Sequence, residues 1–152
     1  MAKSIDPDFA GESKGSSKPG DKRIHLVVVT PERTVLDTLV DFVAIPLFDG
    51  EAGILPGRAP LIGRLGFGEL RGRVGDTVDR YFVDGGFAQI RDDSATILTA
   101  RAIPAKDVDV AAAEEDLRAL ESTKATTELA SADRDRGLAR ARGLIRIARN
   151  KG

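Results

Sequence analysis

The periodicity of apolar residues changes once along the chain, at Pro104. Before it, from Ile24 to Ile103, short runs rich in β-branched residues alternate with Gly and Asp-Gly breaks, a pattern typical of strands joined by tight turns. After it, apolar residues recur about every 3.6 positions, which indicates helices. The sequence therefore predicts a mainly β protein with an α appendage, an N-terminal antiparallel β-sandwich followed by a C-terminal antiparallel α-helical hairpin.

The chain divides into three segments of different composition. Residues 1–22 are rich in Ser, Gly, Lys and Pro and have few bulky apolar side chains, so we predict a disordered N-terminal tail. Residues 23–104 form the predicted sandwich, and residues 105–152 form the predicted helical hairpin. Within the sandwich, Asp84-Gly85 and Asp92-Asp93 are predicted hairpin turns.

The two predicted helices carry opposite charges. Residues 105–130 contain three basic and seven acidic residues, whereas residues 131–152 contain seven basic and two acidic ones. Asp107 and Asp109 stand where the cap of the first helix belongs, and acidic residues in its early turns suit the helix dipole. The apolar seams consist of Val110, Ala113, Leu117 and Leu120 in the first helix, and Leu138, Ala141, Ile145 and Ala148 in the second.

The hairpin is expected to be only marginally stable. Its seams bury mostly Ala and a few larger residues, and Gly137 and Gly143 inside the second helix each cost about 1 kcal/mol relative to Ala. Ion pairs between the arms add less than about 1 kcal/mol each. Two readings stay open from the residues alone: a hairpin that detaches when a better partner appears, and one that stays docked on the sandwich.

Composition argues against most catalytic chemistries. The chain has no Cys, which excludes disulfides, thiolate catalysis and Cys-ligated zinc. Its one His, His25, lies between apolar residues on a predicted strand, where a structural role is expected. The formal net charge of −1 argues against a dedicated nucleic-acid binder. We therefore predict a non-enzyme with no catalytic residue, no metal and no cofactor.

The segment from Asp49 to Ile62 is the most informative stretch. Glycines and two prolines, Pro56 and Pro60, interrupt an apolar run, so the chain must turn while it exposes its charged side chains. The segment is either an ordinary connecting loop or a rigid, charged docking surface. The charged residues in question are Asp49, Glu51 and Arg58.

Three motifs in this order resemble the epsilon subunit of F-type ATP synthase. They are Val29-Thr30-Pro31-Glu32-Arg33, Gly53-Ile54-Leu55-Pro56-Gly57-Arg58-Ala59-Pro60-Leu61 and Gly85-Gly86-Phe87. The second run is quite specific, and the resemblance extends over about residues 23–150. It implies a non-catalytic subunit whose ten-stranded sandwich binds the gamma subunit and rests on the ring of c subunits.

The resemblance also implies roles for particular residues. Asp49, Glu51 and Arg58 would contact the c ring, with Arg58 standing where His is common in the family. Arg140, Arg142, Arg146 and Arg149 would contact the catalytic beta subunit, beside alpha, when the hairpin extends and inhibits ATP hydrolysis. The subunit would lie at the cytoplasmic face of a bacterial plasma membrane, associated with the membrane only through the complex.

Some members of the family bind ATP through a motif at the first helix. The matching residues run from Val108 to Ala113, with Asp109 retained and Ala112 in place of the motif's Arg. Asp109 and Arg140 are the candidate ATP-binding residues, and we expect weak or absent binding. Without the resemblance, the alternative is a free-standing β-sandwich adaptor that grips a partner protein through its helical hairpin.

Overall fold

A computed structural model describes residues 22–150, which form eight strands, a single 3-10 turn (Ala105–Asp107) and two helices. The predicted tail therefore lies outside the described residues, apart from Lys22. The strands are β1 (Ile24–Val29), β2 (Thr34–Val40), β3 (Phe42–Leu47), β4 (Gly50–Ile54), β5 (Leu61–Val74), β6 (Thr77–Arg91), β7 (Ser94–Leu98) and β8 (Ala102–Pro104). The helices are α1 (Val110–Glu121) and α2 (Glu128–Arg149).

Two long strands organise the sheet. β5 and β6, of 14 and 15 residues, pair antiparallel along their whole length. The half of the pair that contains the end of β6 continues into β7, β1 and β2. In the other half, β5 pairs with β3 and β6 pairs with β8, and β4 forms the edge beyond β3. The chain thus forms a sandwich whose two layers share β5 and β6. All strand pairs are antiparallel except β1 with β7, which run parallel.

The predicted hairpin turn at Asp84-Gly85 is wrong. Both residues lie inside β6, and β5 stays alongside through the pairs Phe67↔Asp84 and Leu65↔Gly86. Gly85 and Gly86 have φ of 66° and 110°, so they bend the strand from one layer into the other without reversing it. Because β5 and β6 run unbroken through both layers, the described residues form eight strands where the family resemblance implies ten.

The predicted turn at Asp92-Asp93 is confirmed. The two residues join β6 to β7 between the paired residues Arg91 and Ser94. Both have positive φ, 51° and 60°, as a two-residue type I′ turn requires. Asp is among the residues that tolerate this conformation.

Alternating side chains of both layers fill the space between them. In β1 every second residue is fully buried, namely Ile24, Leu26 and Val28. Val43 and Ile45 of β3 meet them from the other layer in one apolar cluster. Each such side chain contributes about 1.5–3 kcal/mol on burial, so the sandwich carries most of the stability of the described residues.

The two helices form the predicted hairpin. Asp109 caps α1 by accepting a hydrogen bond from the Ala112 N–H (3.1 Å), and Thr127 caps α2 in the same way from Ala130 (3.0 Å). α1 buries only Ala113. The whole predicted seam of α2 is buried, namely Leu138, Ala141, Ile145 and Ala148, because the second half of this helix packs on both α1 and the sandwich.

The two glycines of α2 have different surroundings. A Cβ on Gly137 would lie 2.9 Å from Leu120 Cδ1, the far end of a flexible side chain. A Cβ on Gly143 would lie 3.1 Å from Phe82 Cε1 and 3.3 Å from the Phe67 carbonyl oxygen. Gly143 therefore permits the close approach of α2 to the sheet, which the expectation from helix propensity did not include.

We predict that Gly143→Ala and Gly137→Ala have opposite effects on α2. Gly137→Ala should gain up to about 1 kcal/mol of helix stability, since the Leu120 side chain can rotate away. Gly143→Ala should weaken docking, because backbone and a buried ring stand against the added methyl. Hydrogen exchange of α2 amides measures both, and faster exchange in Gly137→Ala than in Gly143→Ala would contradict the assignment.

Candidate functional site

The described residues hold no group of three or more His, Asp or Glu side chains that could bind a metal ion. His25 lies on β1, and its Nε2 is 2.6 Å from Asp37 Oδ1 on β2, a cross-strand contact consistent with a structural role. Neither helix within residues 22–150 combines the length and apolar character needed to cross a bilayer. The candidate functional sites are the surfaces that carry the contact residues predicted from the sequence.

The three candidate ring-contact residues lie in the turn before β4, on β4 and in the loop after it. Asp49 is exposed in the two-residue turn between β3 and β4. Glu51 lies on β4, opposite Pro46, and its half-exposed carboxylate contacts Arg71 through both oxygens at 3.2 Å. Arg58 is exposed beyond the end of β4. The three charges share one segment of chain but do not form one compact cluster.

Arg71 pairs with Glu51 through both terminal nitrogens of its guanidinium. Partial burial lowers the pKa of the Arg71 guanidinium, but its hydrogen bonds with Glu69 and Glu51, and their charges, raise it by more. The pKa of Arg71 is thus raised above its usual value, and the group stays charged. Its planar fork suits a carboxylate with two accepting oxygens.

The loop that carries Arg58 has a defined conformation. The Arg58 N–H donates to the Leu55 carbonyl oxygen (3.2 Å), and Gly57 between them has φ of 87°. Pro56 followed by Gly57 is the sequence expected of a type II turn. The Gly57 N–H donates to Asp93 Oδ1 at 2.7 Å, which anchors the loop to the β6–β7 turn. These contacts fix the conformation of the loop and leave the Arg58 residue exposed.

The four candidate arginines of α2 differ in their contacts. Arg140 Nε donates to Asp84 Oδ2 (2.9 Å), and its guanidinium carbon lies 5.2 Å from the centre of the Phe67 ring. Asp84 is the most buried of these partners, with its side chain 9% exposed. Arg140 therefore fixes α2 to the sandwich.

Of the other three, Arg142 and Arg149 pair with α1, and Arg146 also lines a cleft beside Glu51 and Arg71 of the sandwich. Arg142 and Arg149 contact the α1 carboxylates of Glu121 (3.9 Å) and Glu114 (3.1 Å). Arg146 is exposed and lines a shallow groove between the helices, over an apolar floor of Leu117 and Ile145. This face of the hairpin is basic and partly apolar.

The structure does not bring Asp109 and Arg140 together. Asp109 caps the start of α1. Arg140 lies near the other end of that helix. Its neighbours in α2, Gly137 and Arg142, contact Leu120 and Glu121 in the last turn of α1. The 12 residues of α1 separate them by about 18 Å at 1.5 Å per residue. A cavity of about 620 Å³ near the start of α1 is lined by Arg80, Tyr81 and Lys106, but by neither candidate.

An exposed apolar surface on the sandwich was not among the sequence-predicted sites. Ile62, Phe87 and Leu98 are 76%, 58% and 51% exposed. Phe87 pairs directly with Leu98 across β6 and β7, and Ile62 points from β5 to the same face. The signal was present in the sequence, because Leu61-Ile62, Phe87-Ala88 and Ile97-Leu98 put an apolar residue on both faces of each strand.

Comparisons with known proteins agree on one family. Residues 23–105 match the family described as ATP synthase, Delta/Epsilon chain, beta-sandwich domain. The chain is 52% identical over 127 residues to the ATP synthase epsilon chain of Rhodopirellula baltica, which covers 83% of this chain and 98% of that one. It is 40% identical over 115 residues to the ATP synthase epsilon chain of Syntrophobacter fumaroxidans, with 73% and 86% covered.

Solved structures share the fold at low sequence identity. A chain of the Euglena gracilis mitochondrial ATP synthase (OSCP/F1/c-ring) superposes with a TM-score of 0.74 at 23% identity, covering 86% of this chain and 82% of that one. A chain of the Tetrahymena thermophila mitochondrial ATP synthase central stalk/c-ring gives 0.61 at 14% identity, with 84% and 97% covered. Since the family description matches more than half of the residues and the Rhodopirellula relative is matched over nearly its whole length, this chain belongs to the family of ATP synthase epsilon chains, which are structural and not catalytic subunits.

Proposed function

We propose that this chain links the gamma subunit to the c ring in the central stalk of a bacterial ATP synthase. In this role it passes rotation of the ring to the shaft that drives ATP synthesis in the alpha and beta subunits, at the cytoplasmic face of the plasma membrane. The observation that carries the proposal is the difference between the two faces of the sandwich. One face is covered by α2, and the other exposes Ile62, Phe87 and Leu98.

The uncovered apolar face is proposed to bind gamma. Large side chains that lie exposed side by side on a sheet usually mark a contact surface. Phe87 and Leu98, as directly opposed residues, bring their Cβ atoms to about 5 Å from each other, so they present one continuous patch. An apolar partner surface on the shaft would remove this patch from water and fix the subunit to it.

The charged segment after β3 is proposed to rest on the ring. Asp49, Glu51 and Arg58 are exposed or half-exposed. The loop of Arg58 is held by one backbone hydrogen bond to Leu55 and by one from the Gly57 N–H to the Asp93 carboxylate. Charged contacts in high dielectric contribute orientation more than affinity. Such a surface would orient the subunit on the ring, while the apolar face on gamma would supply most of the binding free energy.

The hairpin is proposed to inhibit ATP hydrolysis when it leaves the sandwich. In the folded form Arg140 is bound to Asp84, and Arg142 and Arg149 are paired with the acidic arm. Extension would release these arginines, together with Arg146, for acidic segments of the beta subunit. The separation of Asp109 from Arg140 supports weak or absent ATP binding to the folded form.

We predict that the double variant Ile62→Ser, Phe87→Ser loses affinity for gamma by about 30- to 160-fold, because each substitution removes about 1–1.5 kcal/mol of apolar contact. Pull-down of full-length chain with gamma measures this. Leu129→Ser is the matched control, since Leu129 is 74% exposed but lies on α2 away from the sheet. An equal loss of affinity in the control, or no loss in the double variant, would contradict the assignment of this face to gamma.

We predict that Asp84→Asn strengthens inhibition. Asn keeps the shape of Asp84 but removes the charge that holds Arg140, which should shift the hairpin toward extension by about five-fold for a partly exposed pair of about 1 kcal/mol. ATP hydrolysis by the reconstituted complex should fall accordingly. In a chain truncated after Pro104 the same substitution should have no effect, and hydrolysis should be high. Unchanged hydrolysis in full-length Asp84→Asn would show that the Asp84–Arg140 pair does not hold the hairpin in its docked form.

A further inference from the structure

A chain of contacts runs from the half-exposed Glu51 on β4 to the last turn of α2. Arg71 Nη1, which contacts Glu51, also donates to Glu69 Oε1 at 3.1 Å. The second oxygen of Glu69 accepts from Arg80 Nε at 2.7 Å. Arg80 Nη2 donates to the carbonyl oxygen of Ile147 at 2.9 Å. Four side chains thus connect a proposed docking strand to the helix that is proposed to move.

The contact between Arg80 and the Ile147 carbonyl stabilises the C-terminal end of α2. The helix ends at Arg149, so the Ile147 carbonyl is one of the last four, which have no partner within the helix. Arg80 supplies that partner from the sheet and places a positive charge at the negative end of the helix dipole. Arg80 is therefore a C-terminal cap provided by another element, and the cap exists only while α2 is docked.

The middle of the chain is sheltered from water. The side chains of Glu69 and Arg80 are 14% and 13% exposed, so their interaction is screened less than an ion pair at the surface. Glu69 divides its two oxygens between Arg71 and Arg80. If Glu51 leaves Arg71, that guanidinium has only Glu69 as its anionic partner, and the position of Glu69 against Arg80 changes.

We propose that Glu51 controls the docking of α2 through Arg71, Glu69 and Arg80, so that engagement of Glu51 by a cationic group of a partner and docking of α2 oppose each other. Glu51 and Ile147 line the same cleft of about 320 Å³ between β4 and the end of α2, so a side chain that draws Glu51 outward acts directly beside the helix. The identity of that partner rests on the proposed function, in which β4 faces the ring. The link between Glu51 and α2 within the chain is independent of the proposed function. Because coupling is reciprocal, release of α2 would also make Glu51 more available.

Hydrogen exchange in the isolated full-length chain tests the link. Glu51→Gln should raise the exchange rate of the amides of residues 145–149 by about two- to five-fold, as expected for loss of one contact in a partly exposed network. Arg80→Gln should raise it further. Asp49→Asn is the matched control, since Asp49 is an exposed carboxylate two residues away that takes no part in the contacts to Arg71, and it should leave the rate unchanged.

The double variant Glu51→Gln, Arg80→Gln makes the test specific. If the signal passes through Arg80, Glu51→Gln should have no further effect once Arg80 is replaced. Unchanged exchange in Glu51→Gln, an equal rise in Asp49→Asn, or full additivity in the double variant would each overturn the proposal. Unchanged exchange in β1 and β7 shows that the variants keep their fold.

A separate measurement distinguishes this proposal from the proposed function. Binding of the gamma-bound Glu51→Gln subunit to reconstituted c ring reports on the docking surface alone. Normal ring binding together with faster α2 exchange would support the intramolecular link and overturn the proposed ring contact at Glu51. Weaker ring binding with unchanged exchange would do the opposite.

Discussion

The antiparallel pairing of β5 with β6 is the constraint on which the rest of the structure depends. It runs in one register from Leu61↔Ile90 to Val74↔Thr77, with a pair missing only between Gly66 and Gly85 at the bend. The two layers of the sandwich are therefore fixed to each other by backbone hydrogen bonds as well as by side-chain packing. The bend between the layers requires glycine. A Cβ on Gly86 would lie 1.9 Å from the Leu98 carbonyl oxygen, a contact that no rearrangement of a side chain could relieve.

The same two strands carry residues of the apolar face and of the contacts with α2. Ile62 and Phe87 lie in the half of the pair that continues into β7, whereas Glu69, Arg71 and Arg80 lie in the half beneath α2. Asp84 lies at the bend between them. A contact made on the apolar face and a contact made with the hairpin therefore act on opposite halves of one rigid element. Under the proposed function, this arrangement would suit a subunit that holds one partner while it releases another segment.

Local patterns in the sequence were sufficient for elements whose causes are local. The Asp92-Asp93 turn, the Asp109 cap and the buried seam of α2 follow from residues within one turn or hairpin. The same reasoning failed at Asp84-Gly85, because a second glycine and the continuous partner strand allow a bend where the dipeptide alone indicates reversal.

Features that depend on distant residues could not be predicted from periodicity. Arg140 and its partner Asp84 are 56 residues apart, and the parallel pairing of β1 with β7 joins the two ends of the sandwich sequence. The crowding around Gly143 is of the same kind. Helix propensity describes that position as a weakness, whereas the contacts with Phe67 and Phe82 make it the place where α2 comes closest to the sheet.

The charges of the hairpin supply polar contacts to its docked form. Docking uses the Arg140–Asp84 pair and the Arg80 cap, while Arg142 and Arg149 pair with the acidic arm. Each exposed pair is worth less than about 1 kcal/mol, and α1 buries only Ala113. α2 also buries Leu138, Ala141, Ile145, Ile147 and Ala148, so the folded hairpin is held by this apolar surface together with several small polar contacts. A partner that replaces two or three of these contacts with its own shifts the equilibrium, and loss of that partner restores it.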